Sequence, residues 1–255
     1  MGLLKGERMT KGIDISNWQA DLHDYEALKK DGTEFAILKL SEGTGFTDKS
    51  FEKHYEGCKG AGIPVGAYIY SHAQSIEGVK AELDFALKLL RGRRPELGIF
   101  LDMEAEDMNT GWNRSVLPIA LAFGEYAAHN GLRWGIYANS SWWLYKLDAQ
   151  AIKDAGGIVW AAEYNRSCRI ENADIWQYTN DGRAGAYDRA LDMDIMFSPL
   201  LTGPKENEES DERDLTVLIM QTLLIQKGAE LEADGKSSAA FVKALKEYAG
   251  SMEKI

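Results

Sequence analysis

The chain has 255 residues, of which 45% are hydrophobic and 27% charged, as in a globular protein with one large core or one core plus a small appendage. It carries 29 basic and 40 acidic residues. The resulting net charge of -11 repels phosphate backbones, so nucleic acid is excluded as an expected partner. No run approaches the roughly 18 apolar residues that cross a bilayer, and we expect no membrane insertion.

Two further features of the sequence bear on secretion and on the chemistry of its cysteines and histidines. The opening segment, residues 1–16, carries charge where a secretion signal has an apolar core, so we predict no signal peptide. Cys58 and Cys168 are the only cysteines and lie far apart, which predicts two free, mostly buried thiols. Two Cys and four His without close spacing predict no zinc site.

Short apolar strands alternate with amphipathic helical stretches, which is typical of parallel-sheet units. The predicted strands are 12–16, 35–40, 65–71, 98–104, 134–139, 158–164, 174–179 and 190–197. Helical patterns between the early strands end at glycines that suit C-terminal caps. The pattern predicts an α/β barrel whose last strands are joined by hairpins or loops.

The composition changes after the last strand. Residues 203–214 form a dense acidic run that we interpret as a solvated linker, the alternative being the exposed first turn of a helix. Two helical periodicities follow in 215–255. A body of about 40 residues is marginal alone, so we expect it to pack on the barrel, a ligand or a partner. The predicted divisions are therefore a 1–202 barrel, a 203–214 linker and a 215–255 helical module.

The stretch GIFLDMEAED, residues 98–107, runs a buried strand into four carboxylates. Residues i and i+2 of a strand share a face, so Asp102 and Glu104 are expected on one side with Cα atoms about 6.6 to 7 Å apart. Two carboxylates at the end of such an apolar strand indicate a functional pair. The alternative is that these carboxylates only precede a helix, whose N-terminus favours negative charge. We prefer that interpretation for Glu106 and Asp107.

Other carboxylates occupy matching positions. Asp14 lies in the first predicted strand, while Asp192 and Asp194 lie in the last. First and last strands are neighbours in a closed barrel, so these side chains are expected to meet at the mouth where such barrels place their sites. Taken alone, Asp14 would serve equally as a turn cap, and the other two as flanks of an edge strand.

Aromatic residues accompany these carboxylates. They lie in or just beyond predicted strands and are Trp18, Tyr68, Tyr70, Tyr137, Trp160, Tyr164, Trp176 and Tyr178. Flat rings beside carboxylates suit a sugar, whose C–H faces stack on aromatics. The alternative is that about half of them are barrel core. Trp142 and Trp143 are predicted to lie on a surface loop.

Seven ordered segments carry a family resemblance. They are GIDISNWQ, FAILKLSEGTGFTD, PVGAYIYSHA, IFLDMEAED, WGIYANSSWW, IVWAAEYN and IWQYTNDGRAGAYDRALDMDIM, and they span residues 11 to about 198. In this order they resemble glycoside hydrolase family 25, the lysozyme-like muramidases common in phage endolysins. The resemblance implies a modified (β/α) barrel with five βα units and three further strands. This sequence has Asp194 at the family's asparagine position and AYIYS where many members have a histidine.

The resemblance also implies hydrolysis of the β-1,4 bond from N-acetylmuramic acid to N-acetylglucosamine in the peptidoglycan of Gram-positive walls, without a cofactor. Glu104 is then the general acid, with Asp102 ionised beside it and Asp14 as the third catalytic residue. Substrate contacts are expected from Asp192, Tyr68, Tyr70, Tyr137, Trp160, Tyr164, Trp176 and Gln177. Without a signal peptide, the enzyme is expected in the host cytoplasm until lysis and at the cell wall afterwards.

The C-terminal segment has a second resemblance, to a helical peptidoglycan-binding repeat. Gln221, Gly228, Asp234 and Gly235 match that repeat, whereas Ser237 and Ser238 replace its usual FG. We therefore expect wall binding, with self-association through this module as the alternative. For the barrel, a non-catalytic glycan-binding protein would be expected to lack the acid at 104, and a chitinase-like hydrolase would have a longer acidic signature.

Overall fold

The computed structural model describes residues 9–108, 116–185, 187–197, 215–226, 228–231 and 238–252. Three sequence predictions fall wholly or partly outside these residues. They concern the start of the opening segment, the acidic linker at 203–214 and the turn that contains Asp234, Gly235 and Ser237.

The described chain folds into nine strands and eight helices. The strands are β1 (Thr10–Ile15), β2 (Phe35–Glu42), β3 (Phe46–Thr47), β4 (Val65–Tyr70), β5 (Gly98–Asp102), β6 (Trp134–Asn139), β7 (Ile158–Ala162), β8 (Ile175–Ala184) and β9 (Tyr187–Met196). The helices are α1 (Tyr25–Lys30), α2 (Phe51–Gly60), α3 (Ile76–Leu90), α4 (Leu117–His129), α5 (Ser140–Tyr145), α6 (Ala149–Asp154), α7 (Leu215–Gln226) and α8 (Ala239–Met252).

Eight of these strands close into a barrel in the order β1-β9-β8-β7-β6-β5-β4-β2, and β2 pairs back with β1. All are parallel to their neighbours except β9, which runs antiparallel to both β1 and β8. The two-residue β3 adds to the edge of β2 and was missed in the sequence. Helices follow β1, β2, β4, β5 and β6, while β7, β8 and β9 follow one another without a helix. The predicted barrel of five βα units and three further strands is confirmed.

Alternating side chains divide the barrel into two apolar layers. The lumen holds Phe35, Ile37, Leu97, Phe100, Tyr137, Ile158, Trp160, Ala162, Ile175 and Met196. The opposite strand faces pack with the helices in a larger core. Glycines make room for the lumen rings: a Cβ on Gly12 would lie 2.4 Å from the Phe35 ring, and one on Gly135 would lie 2.6 Å from Phe100. Side chains therefore fill the lumen below its mouth. The mouth is the end of the barrel at which the parallel strands have their C-termini.

Two local predictions differ from the structure, and a third agrees with it. The fourth predicted strand, β5, ends at Asp102 rather than 104, so Glu104 lies in the loop that follows. The prediction that Trp142 and Trp143 lie on a surface loop is wrong, because both are buried in the short helix α5. The Trp143 indole N–H donates to the main-chain oxygen of Trp160 at 3.2 Å, which anchors α5 to β7. Free thiols at Cys58 and Cys168 are confirmed; the former is buried and the latter half-buried.

The C-terminal helices contact the barrel as expected for a segment too small to fold alone. Helix α7 packs on α4 and on α8, and Ile219 joins the large core. Gln221, one of the residues that matched the binding repeat, is 1% exposed. Among the described residues, no helix has the length and apolar character needed to cross a membrane.

Candidate active site

A cavity of about 200 Å³ opens at the mouth of the barrel. Its lining residues come from seven strands and from the loops after two of them, and are Asp14, Tyr68, Asp102, Glu104, Tyr137, Trp160, Tyr164, Gln177, Asn180 and Asp192. Nine of the eleven residues proposed from the sequence lie in this set. The topology brings them together because parallel strands deliver the residues at their C-terminal ends to one edge.

Strand register fixes the relative positions of the carboxylates. Asp14 on β1 lies directly opposite Asp192 on β9, so closure of the barrel juxtaposes residues 178 positions apart in sequence. Asp102, the last residue of β5, is paired with Tyr70 on one side and Tyr137 on the other. Glu104 follows two residues later and lines the same cavity. Four carboxyl groups therefore surround one small space.

Gln177 connects the acidic side of the cavity with its aromatic side. Its amide nitrogen donates to Asp14 Oδ2 at 2.7 Å, and its amide oxygen accepts from the hydroxyls of Tyr137 at 3.0 Å and Tyr164 at 2.8 Å. Burial, followed by the charges of Asp194 and Asp192, raises the pKa of Asp14 well above its usual range, and the bond from Gln177 opposes this shift. With Gln177 itself only 3% exposed, the three bonds form a buried network that fixes its orientation.

Burial dominates the electrostatics of the Asp102–Glu104 pair. It raises the pKa of Asp102 well above the usual range, and the neighbouring charge of Glu104 adds to the effect. Glu104 is open to solvent at the cavity rim, yet the cavity walls remove part of its solvation and raise its pKa also. The positive charge of Lys39 lowers the pKa of both carboxyls and so opposes these two increases. Since two adjacent carboxyls resist double ionisation, the pair retains a proton at a pH where an isolated carboxyl has lost it.

The ionised Asp102 expected from the sequence does not fit this burial in the unliganded site. Asp102 is 6% exposed, and its Oδ1 has no hydrogen-bond partner within the described part of the chain. An isolated buried carboxylate of this kind favours its neutral form. Ionisation of Asp102 therefore requires a compensating group or charge that enters the cavity.

Asp192 titrates in a different environment from Asp102. Burial, followed by the charge of Glu104, raises the pKa of Asp192 to about 6. This dependence places Asp192 within electrostatic range of the Glu104 carboxyl, across the cavity from β5. A ligand that fills the cavity is thus enclosed by carboxyls on both sides.

Comparison with known proteins agrees with this arrangement. The model for glycosyl hydrolases family 25 matches residues 13–186, more than half of the chain. The chain belongs to glycosyl hydrolase family 25. It is 25% identical over 240 residues to an autolytic lysozyme of Clostridium acetobutylicum, a match that covers 88% of this chain and 70% of the relative. An N,O-diacetylmuramidase of Chalaropsis is 30% identical over 144 residues, 52% of this chain and 67% of the relative.

A solved structure supports the same assignment. The catalytic domain of endolysin ply40 from bacteriophage P40 of Listeria monocytogenes superposes with a TM-score of 0.63 at 26% identity. The match covers 77% of this chain and 97% of that domain. The protein is thus a glycoside hydrolase of family 25 whose barrel corresponds to a catalytic domain.

Two of the proposed site residues do not line the cavity of this family 25 enzyme. Trp176 points to the opposite face of β8 from Gln177, where its indole N–H donates to the Glu163 main-chain oxygen at 2.7 Å. Period-two alternation explains this, since neighbouring residues of a strand face opposite sides. Tyr70 lies at the rim beyond Tyr68, with Lys39 Nζ 4.9 Å from its ring centroid.

Two functional candidates escaped the sequence reasoning. Asn180 lines the cavity from the irregular second half of β8, where the sequence NDG at 180–182 is typical of a turn. Lys39 follows Ile37 on the lumen face of β2, and its positive charge lowers the pKa of both Asp102 and Glu104. Period-two alternation along β2 was the signal that marked Lys39 as inward-facing.

A second cavity of about 430 Å³ adjoins the first. The two share Glu104, Tyr137 and Tyr164. The rest of its lining is mostly polar and comprises Asn139, Ser140, Ala162, Glu163, Asn165 and Arg169. Glu163 is held in place by the main-chain N–H of Arg169 at 2.7 Å and by its guanidinium. The two cavities are therefore contiguous, and Glu104 is among the residues at their boundary.

Proposed function

We propose that this family 25 enzyme is an N-acetylmuramidase that cleaves the β-1,4 bond between N-acetylmuramic acid and N-acetylglucosamine in peptidoglycan. The observation that carries the proposal is the Asp102–Glu104 pair in a cavity walled by aromatic rings. The relatives named as lysozyme and muramidase support the same substrate class. The chain is a peptidoglycan hydrolase, and the geometry of the site supports the following roles for its residues.

Glu104 is the general acid in this proposal. Its pKa is raised by burial, so it retains a proton to donate to the leaving glycosidic oxygen. It is also one of the three residues shared by both cavities, which supports a position beside the bond between two sugars, one in each cavity. A group at this boundary is in position to protonate the oxygen that joins the two sugars.

Asp102 acts on the positive charge that develops as the bond breaks. Loss of its proton becomes favourable when an oxocarbenium-like centre, or the substrate's N-acetyl group acting as an internal nucleophile, lies beside it. Asp14 and Asp192 hold the sugar and the attacking water from the opposite wall. The rings of Tyr68, Tyr137, Trp160 and Tyr164 supply stacking surface for the sugar.

The test is mass spectrometry, with reducing-end labelling, of fragments released from purified Gram-positive peptidoglycan. We expect new muramic acid reducing ends from the wild type and their loss in Glu104→Gln, which removes the proton but keeps the shape. Glu106→Gln is the matched control, because Glu106 lies two residues further on, in the 3-10 turn Glu106–Met108, and outside both cavities. Equal activity in the two variants would contradict the assignment of the acid.

The two alternative functions, a glycan-binding barrel and a chitinase-like hydrolase, predict different results in this assay. A glycan-binding barrel without catalysis would bind the wall and release nothing. A chitinase-like enzyme would generate only glucosamine ends. Either result with the wild-type protein would move the substrate assignment away from a muramidase.

For the C-terminal helices we propose a role in wall binding, as part of a phage endolysin that reaches the wall at lysis. The supporting feature is a set of partly exposed apolar side chains on α7 and α8, namely Met220, Leu223, Ile225, Val242 and Leu245. The test is sedimentation of Glu104→Gln protein with purified walls, with and without Val242→Ser and Leu245→Ser. A concentration-dependent molar mass that these changes abolish, without loss of wall affinity, would favour self-association instead.

A further inference from the structure

Arg169 is a charged residue of the second cavity that the proposed mechanism leaves without a role. It lies in the loop between β7 and β8, and it is the one cationic side chain among the described residues that line either cavity. Four carboxyl groups line the first cavity, which adjoins it. A guanidinium at the edge of such an acidic space is the group best suited to bind an anionic part of the substrate.

Glu163 fixes the orientation of this guanidinium. Its Oε2 accepts the Arg169 main-chain N–H at 2.7 Å, and its Oε1 accepts the Nε–H of the same residue. Glu163 is only 5% exposed, whereas the Arg169 side chain is 60% exposed. The two terminal Nη groups have no hydrogen-bond partner among the described residues. The pair thus holds a planar guanidinium in place and leaves its terminal donors open to a ligand.

Under the proposed function, the carboxyl groups determine which sugar enters each cavity. Asp102, which acts on the charge that develops at C1 of the muramic acid, lines only the first cavity. The muramic acid therefore occupies the first cavity, and the leaving glucosamine occupies the second. In a β-1,4 chain, O3 of each sugar is next to O4, the atom that joins it to the preceding sugar. The O3 lactyl group of the next muramic acid consequently projects back towards this glucosamine, and so towards Arg169.

We propose that Arg169 binds the lactyl carboxyl group of the muramic acid that follows the leaving glucosamine. The Nη groups donate to this carboxyl group, which is a carboxylate where the peptide stem has been removed and an amide where the stem is attached. A carboxylate accepts the stronger, charge-assisted bonds. The placement of each sugar rests on the proposed function, whereas binding through Arg169 is measurable without cleavage.

The test compares two glycan substrates of equal length that differ only in this group. Stem-free strands, prepared from peptidoglycan with an N-acetylmuramoyl-L-alanine amidase, carry lactyl carboxylates, and carbodiimide coupling with methylamine converts these to neutral methylamides. We expect the ratio of kcat/KM, carboxylate over methylamide, to be about five- to tenfold lower in Arg169→Met than in the wild type, the difference between a charged and a neutral hydrogen bond. Arg166→Met is the matched control and should keep the wild-type ratio, because Arg166 is an exposed residue of the same loop outside both cavities.

A ratio measured on one protein does not depend on the fraction that is folded, so a destabilised variant still gives a result. Arg169→Met leaves the buried Glu163 without a donor; Glu163→Gln combined with Arg169→Met removes that unpaired charge and is expected to show the same low ratio. An unchanged ratio in both proteins, or an equal fall in Arg166→Met, would overturn the proposal. If the wild type releases no muramic acid ends, the proposed function fails. The affinity of Glu104→Gln protein for the two strands, with and without Arg169→Met, then decides the role of Arg169 by itself.

Discussion

The network centred on Gln177 gives a quantitative test of how the active site is held together. We consider Gln177→Met, which keeps the length and unbranched shape of the side chain but removes both polar atoms. The change deletes the 2.7 Å bond to Asp14 and the bonds at 3.0 and 2.8 Å from the hydroxyls of Tyr137 and Tyr164. Each of these three partners responds differently, because their exposure differs.

Tyr164 is 56% exposed, so water replaces its lost acceptor at little cost. Tyr137 is only 8% exposed, and an unpaired buried hydroxyl costs about 1 to 3 kcal/mol. Loss of the bond to Asp14, which favours the ionised carboxyl, costs about 1.5 to 3 kcal/mol when Asp14 is charged, partly offset because a polar amide no longer has to be desolvated. We expect the free energy of unfolding to fall by about 2 to 4 kcal/mol.

The same bond sets the expected loss of activity. If Asp14 must be ionised and oriented, a loss of about 1.5 to 3 kcal/mol in the transition state corresponds to a kcat roughly 10- to 150-fold lower. The assays are urea unfolding and the rate at which muramic acid reducing ends appear. Tyr164→Phe is the control, since it removes one half-exposed hydroxyl, and its unfolding free energy should stay within about 0.5 kcal/mol of the wild type. A Gln177→Met protein with wild-type stability and kcat would refute the network as a support for Asp14.

Three further predictions concern the surroundings of the site. Lys39→Met removes the charge that lowers the pKa of Asp102 and Glu104, so the pH profile of kcat should move to higher pH; an unchanged or acid-shifted profile would argue against this electrostatic link. Burial raises the pKa of the Cys58 thiol to about 12, so a thiol reagent at neutral pH should label it only after denaturation, and rapid labelling of the native protein would contradict its burial. Trp143→Phe should lower the unfolding free energy by about 1 to 3 kcal/mol, through the Trp160 carbonyl left without its donor, which thermal and urea unfolding would detect.

Much of this fold was predictable because each element carries a local signal. Runs such as IVWAA at Ile158–Ala162 are buried on both faces, and continuous apolar segments of this kind indicate interior parallel strands. Closure of the barrel then made the meeting of Asp14 and Asp192 predictable, although they lie far apart in sequence. Ordered family motifs and strand topology therefore carried most of the information about the site.

Features that depend on tertiary packing were not predictable in the same way. Trp142 and Trp143 look like exposed loop residues because their segment is short and polar at its start, yet both rings are buried against the barrel. Trp176 failed as a cavity residue because one position along a strand reverses the direction of the side chain. The protonation preferred by Asp102 depends on its burial and on the distance to Glu104, neither of which a sequence pattern specifies.

The carboxyls of the site link its chemistry to the stability of the fold. Asp194 has a pKa of about 8 in the folded state and about 3.9 when unfolded, so the folded chain binds one more proton between these values. Stability from this group is greatest below pH 4 and declines as pH rises, by about 1.4 kcal/mol per pH unit, until the folded-state pKa is passed. Asp194→Asn should remove that slope. Burial raises the pKa of Asp14 and Asp102 in the same direction, so the carboxyls buried at the cavity make the barrel less stable in alkali.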